Sequence, residues 1–324
     1  MACLSALPRE ARPGRCLLST PSSAGPLWVG YAFAAVGAVL FAAKGILIKL
    51  AFAEGVDTLT LLALRMGLSV PIYVAVGVIA YHRGRDRRAT AVPASAYLKA
   101  LAIGVIGYWF SSYADFKGLE TLTPQFERLI LFTYPLFVLL FGAALFHEPL
   151  RWRPLAAFGI AYLGLAVVFL ADFETGGSDI AVGAAWVLAA AVTFALYQLL
   201  ARDSIASMGA PLFTSVAMTG AALVVLALFL VTHPLAALVV SGRAFLLSVM
   251  LAIGATVLPS FFMSAALSRI SAAANSTIGT LSPVVTLILA VLFLGEPLRG
   301  VDLLGTAMVV GGVGLFTVVD RRRR

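Results

Sequence analysis

Five charged side chains fall where charge is expensive. Lys44, Arg65, Asp115, Glu127 and Arg128 all lie inside long apolar runs. A lone charge near the centre of a membrane helix costs about 2.5–3.5 kcal/mol on insertion scales, so such residues pair with one another or face a wet path. Two chemistries follow. The five can form an ion-pair lattice that closes a gate, or they can touch a charged solute directly. Glu127 and Arg128, one turn inside their run, can also snorkel toward an interface. Glu127 and Asp115 are the two acids within the runs that could load a proton. Polar stripes accompany the charges. Tyr108, Ser112 and Asp115 share one helical face, Glu127 and Tyr134 a second, and Trp186, Thr193 and Tyr197 a third. Asn275, Gly279, Ser282 and Thr286 recur at i, i+4, i+7 and i+11. The stripes predict a cavity of hydroxyls and aromatics suited to a small amphipathic solute. Helix–helix hydrogen bonding explains any single Ser or Thr equally well.

Enzyme chemistry has no comparable footing. His82, His147 and His233 stand at the ends of apolar runs, without metal-ligand spacing, and there is no H-E-x-x-H or Gly-rich phosphate loop. No catalytic residue, no metal and no cofactor is expected, with proton coupling left open. Cys3 and Cys16 both precede the first apolar run and cannot form a core framework.

The elements that must position these residues are membrane spans. The chain is 61% hydrophobic and 12% charged, against about 45–50% and about 25% in soluble domains. At roughly 20 residues per span, the runs predict an all-α membrane protein with ten transmembrane helices. The spans are read at 28–50, 58–81, 97–117, 124–146, 154–171, 182–200, 211–231, 244–268, 272–294 and 301–319. Residues 1–26 read as a disordered cytoplasmic tail and 320–324 as a basic one. With the N-terminus inside, fifteen arginines fall in the inner loops and tails, among them Arg83, Arg85, Arg87, Arg88 and Arg151, against three basic residues outside. That bias places both termini in the cytoplasm. It also accounts for the +8 net charge without a nucleic-acid partner.

One phrase occurs twice. Pro135 precedes Glu148-Pro149-Leu150-Arg151, and Pro283 precedes Glu296-Pro297-Leu298-Arg299, at an offset of 148 residues. The spacing predicts two five-helix repeats, 27–172 and 181–319. Five is odd, so the second copy inserts upside down, an inverted pair suited to alternating access. Pro135 and Pro283 lie about eleven residues into their spans, roughly 16 Å deep. They are read as matched hinges, with packing kinks as the alternative. Where Glu127 stands in the first repeat, Asn275 stands in the second, and Ser276 matches Arg128. Gly305, Gly311, Gly312 and Gly314 make span 10, with span 5, a packing pair and a candidate homodimer contact.

These features resemble the EamA-type branch of the drug/metabolite transporter superfamily over residues 28–319. The likeness rests on the doubled Glu-Pro-Leu-Arg turn after a Pro-bearing span and on the run Glu127-Arg-Leu-Ile-Leu-Phe-Thr-Tyr-Pro135. It implies a ten-helix fold, a central cavity and movement of amino acids or other small metabolites. The expected function is a secondary transporter in a bacterial cytoplasmic membrane, working as an exporter of an amino-acid-like solute. An uptake carrier or exchanger for a vitamin- or nucleotide-like metabolite is the alternative. Its partners are the solute and membrane lipid.

Overall fold

The computed structural model describes residues 27–85, 92–146, 152–267, 269–270, 278–279 and 281–321. Asn275, Ser276, Arg87, Arg88, the Glu148–Arg151 turn, the tail 1–26 and residues 322–324 lie outside the described residues.

Every described element is helical, and no strand occurs among the described residues. Among the described residues, six helices are long and apolar enough to cross a membrane: Trp28–Ala53, Thr58–Gly84, Pro124–Leu145, Gly176–Ala201, Ala210–Thr232 and Gly242–Phe262, with Leu281–Leu294 and Gly300–Leu315 as shorter apolar helices. Their outer faces carry bare hydrocarbon. Leu163 is 63% exposed, Val231 85% and Leu292 70%. Such surface is stable against lipid and costly in water. The molecule is a multi-pass integral membrane protein.

The first rod consists of α1 (Leu27–Ala42) and α2 (Lys44–Ala53), separated at Ala43 (φ −69°, ψ −13°). A continuous span was expected there, and no proline marks the break. Two side chains bind beside it instead: Arg128 Nη2 donates to the Phe41 carbonyl at 3.2 Å and Thr286 Oγ1 to the Ala42 carbonyl at 3.1 Å. Helix α3 (Thr58–Arg85) starts at Asp57, whose Oδ1 accepts the Leu59 and Thr60 N–H groups. The next rod joins α4 (Ala94–Ile103) to α5 (Phe110–Thr121) through a π-helical stretch, Gly104–Trp109.

Helix α6 (Pro124–Leu131) is capped by Thr123, with Pro124 at its first turn. Helix α7 (Tyr134–Phe146) follows after a turn at Phe132 and Thr133. The turn stands directly before Pro135, whose missing N–H and ring disrupt the preceding turn. The helix break thus lies beside Pro135. Pro283, by contrast, lies buried within α12 (Leu281–Leu289). The turn at Phe132 and Thr133 also separates Glu127 from Tyr134, so these two do not continue one helical face.

The segment α8 (Trp152–Met208) holds two helices joined by a kink at Gly177 (φ 54°, ψ −134°), and Asp172 to Asp179, expected as an acidic loop, are otherwise helical. Only glycine adopts such a conformation without strain. Helix α9 (Ala210–Thr232) leads through a 3₁₀ turn to α10 (Gly242–Val249), a π-helical stretch Met250–Val257, and α11 (Leu258–Leu267). The last helix is α13 (Gly300–Arg321). It packs on α8, where an added Cβ at Gly164 would meet the Gly305 carbonyl at 2.9 Å. Gly305 therefore serves a contact within the chain. Gly311 and Gly314 meet nothing within 4 Å, contrary to the expected close approach.

Candidate solute and ion site

The five charges do not act as one group. Four form a buried cluster at the junction of α2, α5 and α6. Lys44 Nζ bonds Asp115 Oδ2 at 2.6 Å, with side chains 7% and 3% exposed. Arg128 Nε stands 3.8 Å from Glu127 Oε2, and both side chains are fully enclosed. Glu127 and Arg128 therefore do not snorkel, since Thr123 and Pro124 start their helix well inside the protein. Phe41 supplies a common floor, with its ring 5.4 Å from Lys44 Nζ and 5.3 Å from the Arg128 guanidinium. Gly45 lets α2 approach closely, and a Cβ there would stand 3.5 Å from Glu127 Oε2.

The cluster has an unusual gap in its hydrogen bonding. Neither carboxylate oxygen of Glu127 accepts a bond from any donor, and Asp115 Oδ1 accepts none. These two carboxyl groups belong to the same buried cluster, on the adjoining helices α5 and α6. Two acceptors in contact bond only when a proton lies between them.

Arg65, the fifth charge, stands apart. Its Nε donates to Thr256 Oγ1 at 2.8 Å, and its Nη2 to the Tyr108 hydroxyl at 3.0 Å. The guanidinium also lies over the Phe116 ring at 5.3 Å. Thr256 belongs to the π-helical stretch before α11, so Arg65 ties the first half of the chain to the second. Tyr73, two turns farther along the face of Arg65 and Ser69, reaches Ser260 Oγ at 3.3 Å.

An aromatic wall continues from Tyr108. Its ring meets Tyr197 edge-on at 5.8 Å, Tyr197 stacks on Phe194 at 6.0 Å, and Phe194 meets Tyr134 at 5.2 Å. Tyr108, Ser112, Tyr134, Thr193 and Tyr197 are all half-buried, so this wall retains accessible surface. Thr193 Oγ1 bonds back to the Ala189 carbonyl, and Ser282 Oγ is buried without a partner. The single cavity expected to hold all these residues is thus divided into a sealed ion cluster and a half-open aromatic wall. A cavity of about 390 Å³ lies elsewhere, between α3, α4 and α9, lined by Tyr73, Tyr81, His82, Tyr97 and Ser215 among others.

Thr256, Phe41 and Tyr73 were not among the expected site residues. Tyr73 could have been found, because Arg65, Ser69 and Tyr73 recur at four-residue steps. Phe41 and Thr256 carry no signal in an apolar run.

Turns from both halves meet at one face. Glu54 pairs with Arg243 at 3.2 Å and accepts from Ser241 at 3.0 Å, while His233 Nε2 stands 3.5 Å from Asp57 Oδ1. Burial alone would raise the Asp57 carboxyl. The Thr60 and Leu59 hydrogen bonds and His233 outweigh it and hold Asp57 below the usual carboxylate range. In the second Glu-Pro-Leu-Arg turn, Arg299 bonds Asp302 and Asp172, each at 2.6 Å through Nη2. That arginine ties the start of α13 to α8. Asp302 therefore caps the first turn of α13 as part of an ion network.

The model of the EamA-like transporter family matches residues 28–170 and again 181–318. An uncharacterized transporter, YcbK of Bacillus subtilis (strain 168), is 28% identical over 301 residues, 90% of this chain and 91% of its own. A solved crystal structure superposes with a TM-score of 0.63 at 20% identity, over 92% of this chain and 97% of the other, which shows a shared fold.

Proposed function

Because the chain belongs to the EamA-like transporter family, we propose that it is a secondary carrier moving a small organic, amino-acid-like metabolite by alternating access. Its ten spans would form two inverted five-helix repeats. The observation that carries this reading is the joint at Ala43. Its neighbouring carbonyls are held by Arg128 from the first half and Thr286 from the second, beside a buried ion cluster. A broken helix held by both halves of a duplicated membrane protein is the arrangement from which carriers build a central site. The π-helical stretches at 104–109 and 250–257 stand at nearly the repeat offset and add to this support.

The Asp115–Glu127 contact is the proposed coupling site. A proton held between the two carboxyls lets the cluster exist in two charge states. With the N-terminus inside, this cluster lies in the outer half, so proton entry from outside drives solute outward, and export is the expected direction. A homodimer would use the open face of Gly311 and Gly314 on α13.

The test is counterflow in proteoliposomes. Labelled solute should accumulate transiently against excess unlabelled solute inside, and its rate should depend on pH. Equilibration without an overshoot, as in a simple pore, refutes the carrier reading.

A further inference from the structure

Every buried charged side chain among the described residues has an opposite charge within 4 Å, with one exception. Arg65 is 2% exposed and makes no ion pair. Its Nε and Nη2 donate to the neutral hydroxyls of Thr256 and Tyr108, and Nη1 donates to no described residue. A buried guanidinium satisfied only by neutral groups retains its full charge, and burying an uncompensated charge is costly. Insertion into a membrane makes the imbalance worse.

The surroundings of Arg65 have the opposite polarity to what a structural ion pair needs. Three phenols gather around it. Tyr108 bonds it directly, Tyr73 lies two turns along the same helical face, and Tyr197 meets the Tyr108 ring. Asp115 and Glu127 do not pair with it, being engaged with Lys44 and Arg128. The Tyr108 and Tyr197 rings are half-buried, so the guanidinium sits at the back of accessible surface. Phe194 and Phe213 flank Tyr197, at 6.0 and 6.1 Å between ring centroids. A planar cation with free N–H, hydroxyl donors at its rim and an aromatic wall beyond is complementary to a carboxylate on an apolar body.

We infer that Arg65 anchors the carboxylate of the transported solute, and that this solute is a small organic acid whose apolar part lies against Tyr197 and Phe194. The inference rests on the carrier reading above. Bound carboxylate supplies the counter-charge that the protein itself does not. Thr256 fixes one edge of the guanidinium from the second half, so the anchor spans both halves of the chain.

The experiment compares charged and neutral probes of the same shape. Purified full-length protein in detergent is heated with phenylacetate, phenylacetamide, hexanoate, hexanamide or inorganic phosphate, since a ligand of the native state raises the unfolding midpoint. At least one carboxylate should raise it, and its matching amide should not. Arg65→Gln should weaken that carboxylate about ten- to hundredfold, the loss of a charge-assisted hydrogen bond. Tyr108→Phe keeps the ring and should weaken it by a smaller factor. An amide as effective as its acid overturns the inference, and so does undiminished carboxylate binding in Arg65→Gln. No effect of either carboxylate, with or without an effect of phosphate, overturns it too. If Arg65→Gln does not fold, the acid–amide comparison in the native protein and Tyr108→Phe still decide. Carboxylate binding without counterflow would remove the carrier reading and leave the anion site standing. Counterflow of a neutral solute without carboxylate binding would do the reverse.

Discussion

Replacing Glu127 with Gln separates two accounts of the buried cluster. The side chain is fully enclosed, both its oxygens lack hydrogen-bond donors, and Arg128 Nε stands 3.8 Å away. If Glu127 serves as the ionised partner of Arg128, Gln leaves a buried guanidinium unpaired, at a cost of about 3–5 kcal/mol. If a proton bridges Glu127 and Asp115, Gln preserves both shape and hydrogen-bonding pattern, because its amide donates to Asp115 Oδ1 as the acid would. The loss is then about 1 kcal/mol or less. The geometry favours the second outcome, since 3.8 Å is beyond a hydrogen bond and Arg128 already bonds the Phe41 carbonyl. Reversible denaturant unfolding in mixed micelles measures the difference. Counterflow at several pH values measures the consequence, which should be retained exchange with a flattened pH profile. Destabilisation above about 3 kcal/mol, rescued by a second change of Arg128 to Met, would refute the proton bridge.

Other perturbations have equally definite outcomes. Gly104→Ala should cost about 1–3 kcal/mol or more, because its Cβ would fall 2.0 Å from the Ala217 carbonyl oxygen. Gly254→Ala, with nothing within 4 Å, should be neutral or stabilising by up to about 1 kcal/mol in the same unfolding assay. Arg299→Ala should cost about 1–3 kcal/mol by removing charge-assisted bonds to Asp172 and Asp302, and proteolysis should then cut near the start of α13 first. Asp57→Ala should lose about 1 kcal/mol through the α3 cap. Because the Asp57 carboxyl is held low, its contribution is complete above the ordinary carboxylate range and disappears as pH falls through the lowered value. The variant and native protein should therefore converge in stability in acid.

Much of the site was legible because charge is conspicuous in apolar sequence. Lys44, Asp115, Glu127 and Arg128 stood out by type alone, and burial forces such residues together. How they divide was not legible. Arg65 has the same chemistry and similar depth, and only the tertiary placement of Phe116 and Thr256 separates it from the other four. The break before Pro135 follows from the residue's own covalent structure. The break at Ala43 does not, because Phe41-Ala42-Ala43-Lys44 contains no helix breaker and its bonding partners are 87 and 244 residues away. The π-helical stretches were also hidden, since one extra residue in a turn leaves no mark on apolar composition. The acidic segment at 172–179 read as a loop from its charges and glycines, yet the backbone reverses at Gly177 alone.

The glycine contacts of the α4–α5 rod carry a consequence for how the molecule can move. A Cβ at Gly107 would fall 2.6 Å from Tyr197, and one at Gly118 would fall 2.2 Å from Val187. Like Gly104 against Ala217, these contacts join the first half of the chain to the second. At the other end, a Cβ at Gly30 of α1 would fall 2.7 Å from the Ile270 side chain. A glycine has no side chain to yield, so a neighbour seated against it is held close to the helix backbone. Any separation along the boundary between the duplicated segments would have to break these contacts. Ancestry divides this chain near its middle. Its close glycine contacts do not respect that division, since Gly104, Gly107, Gly118 and Gly30 each seat a partner from the other half.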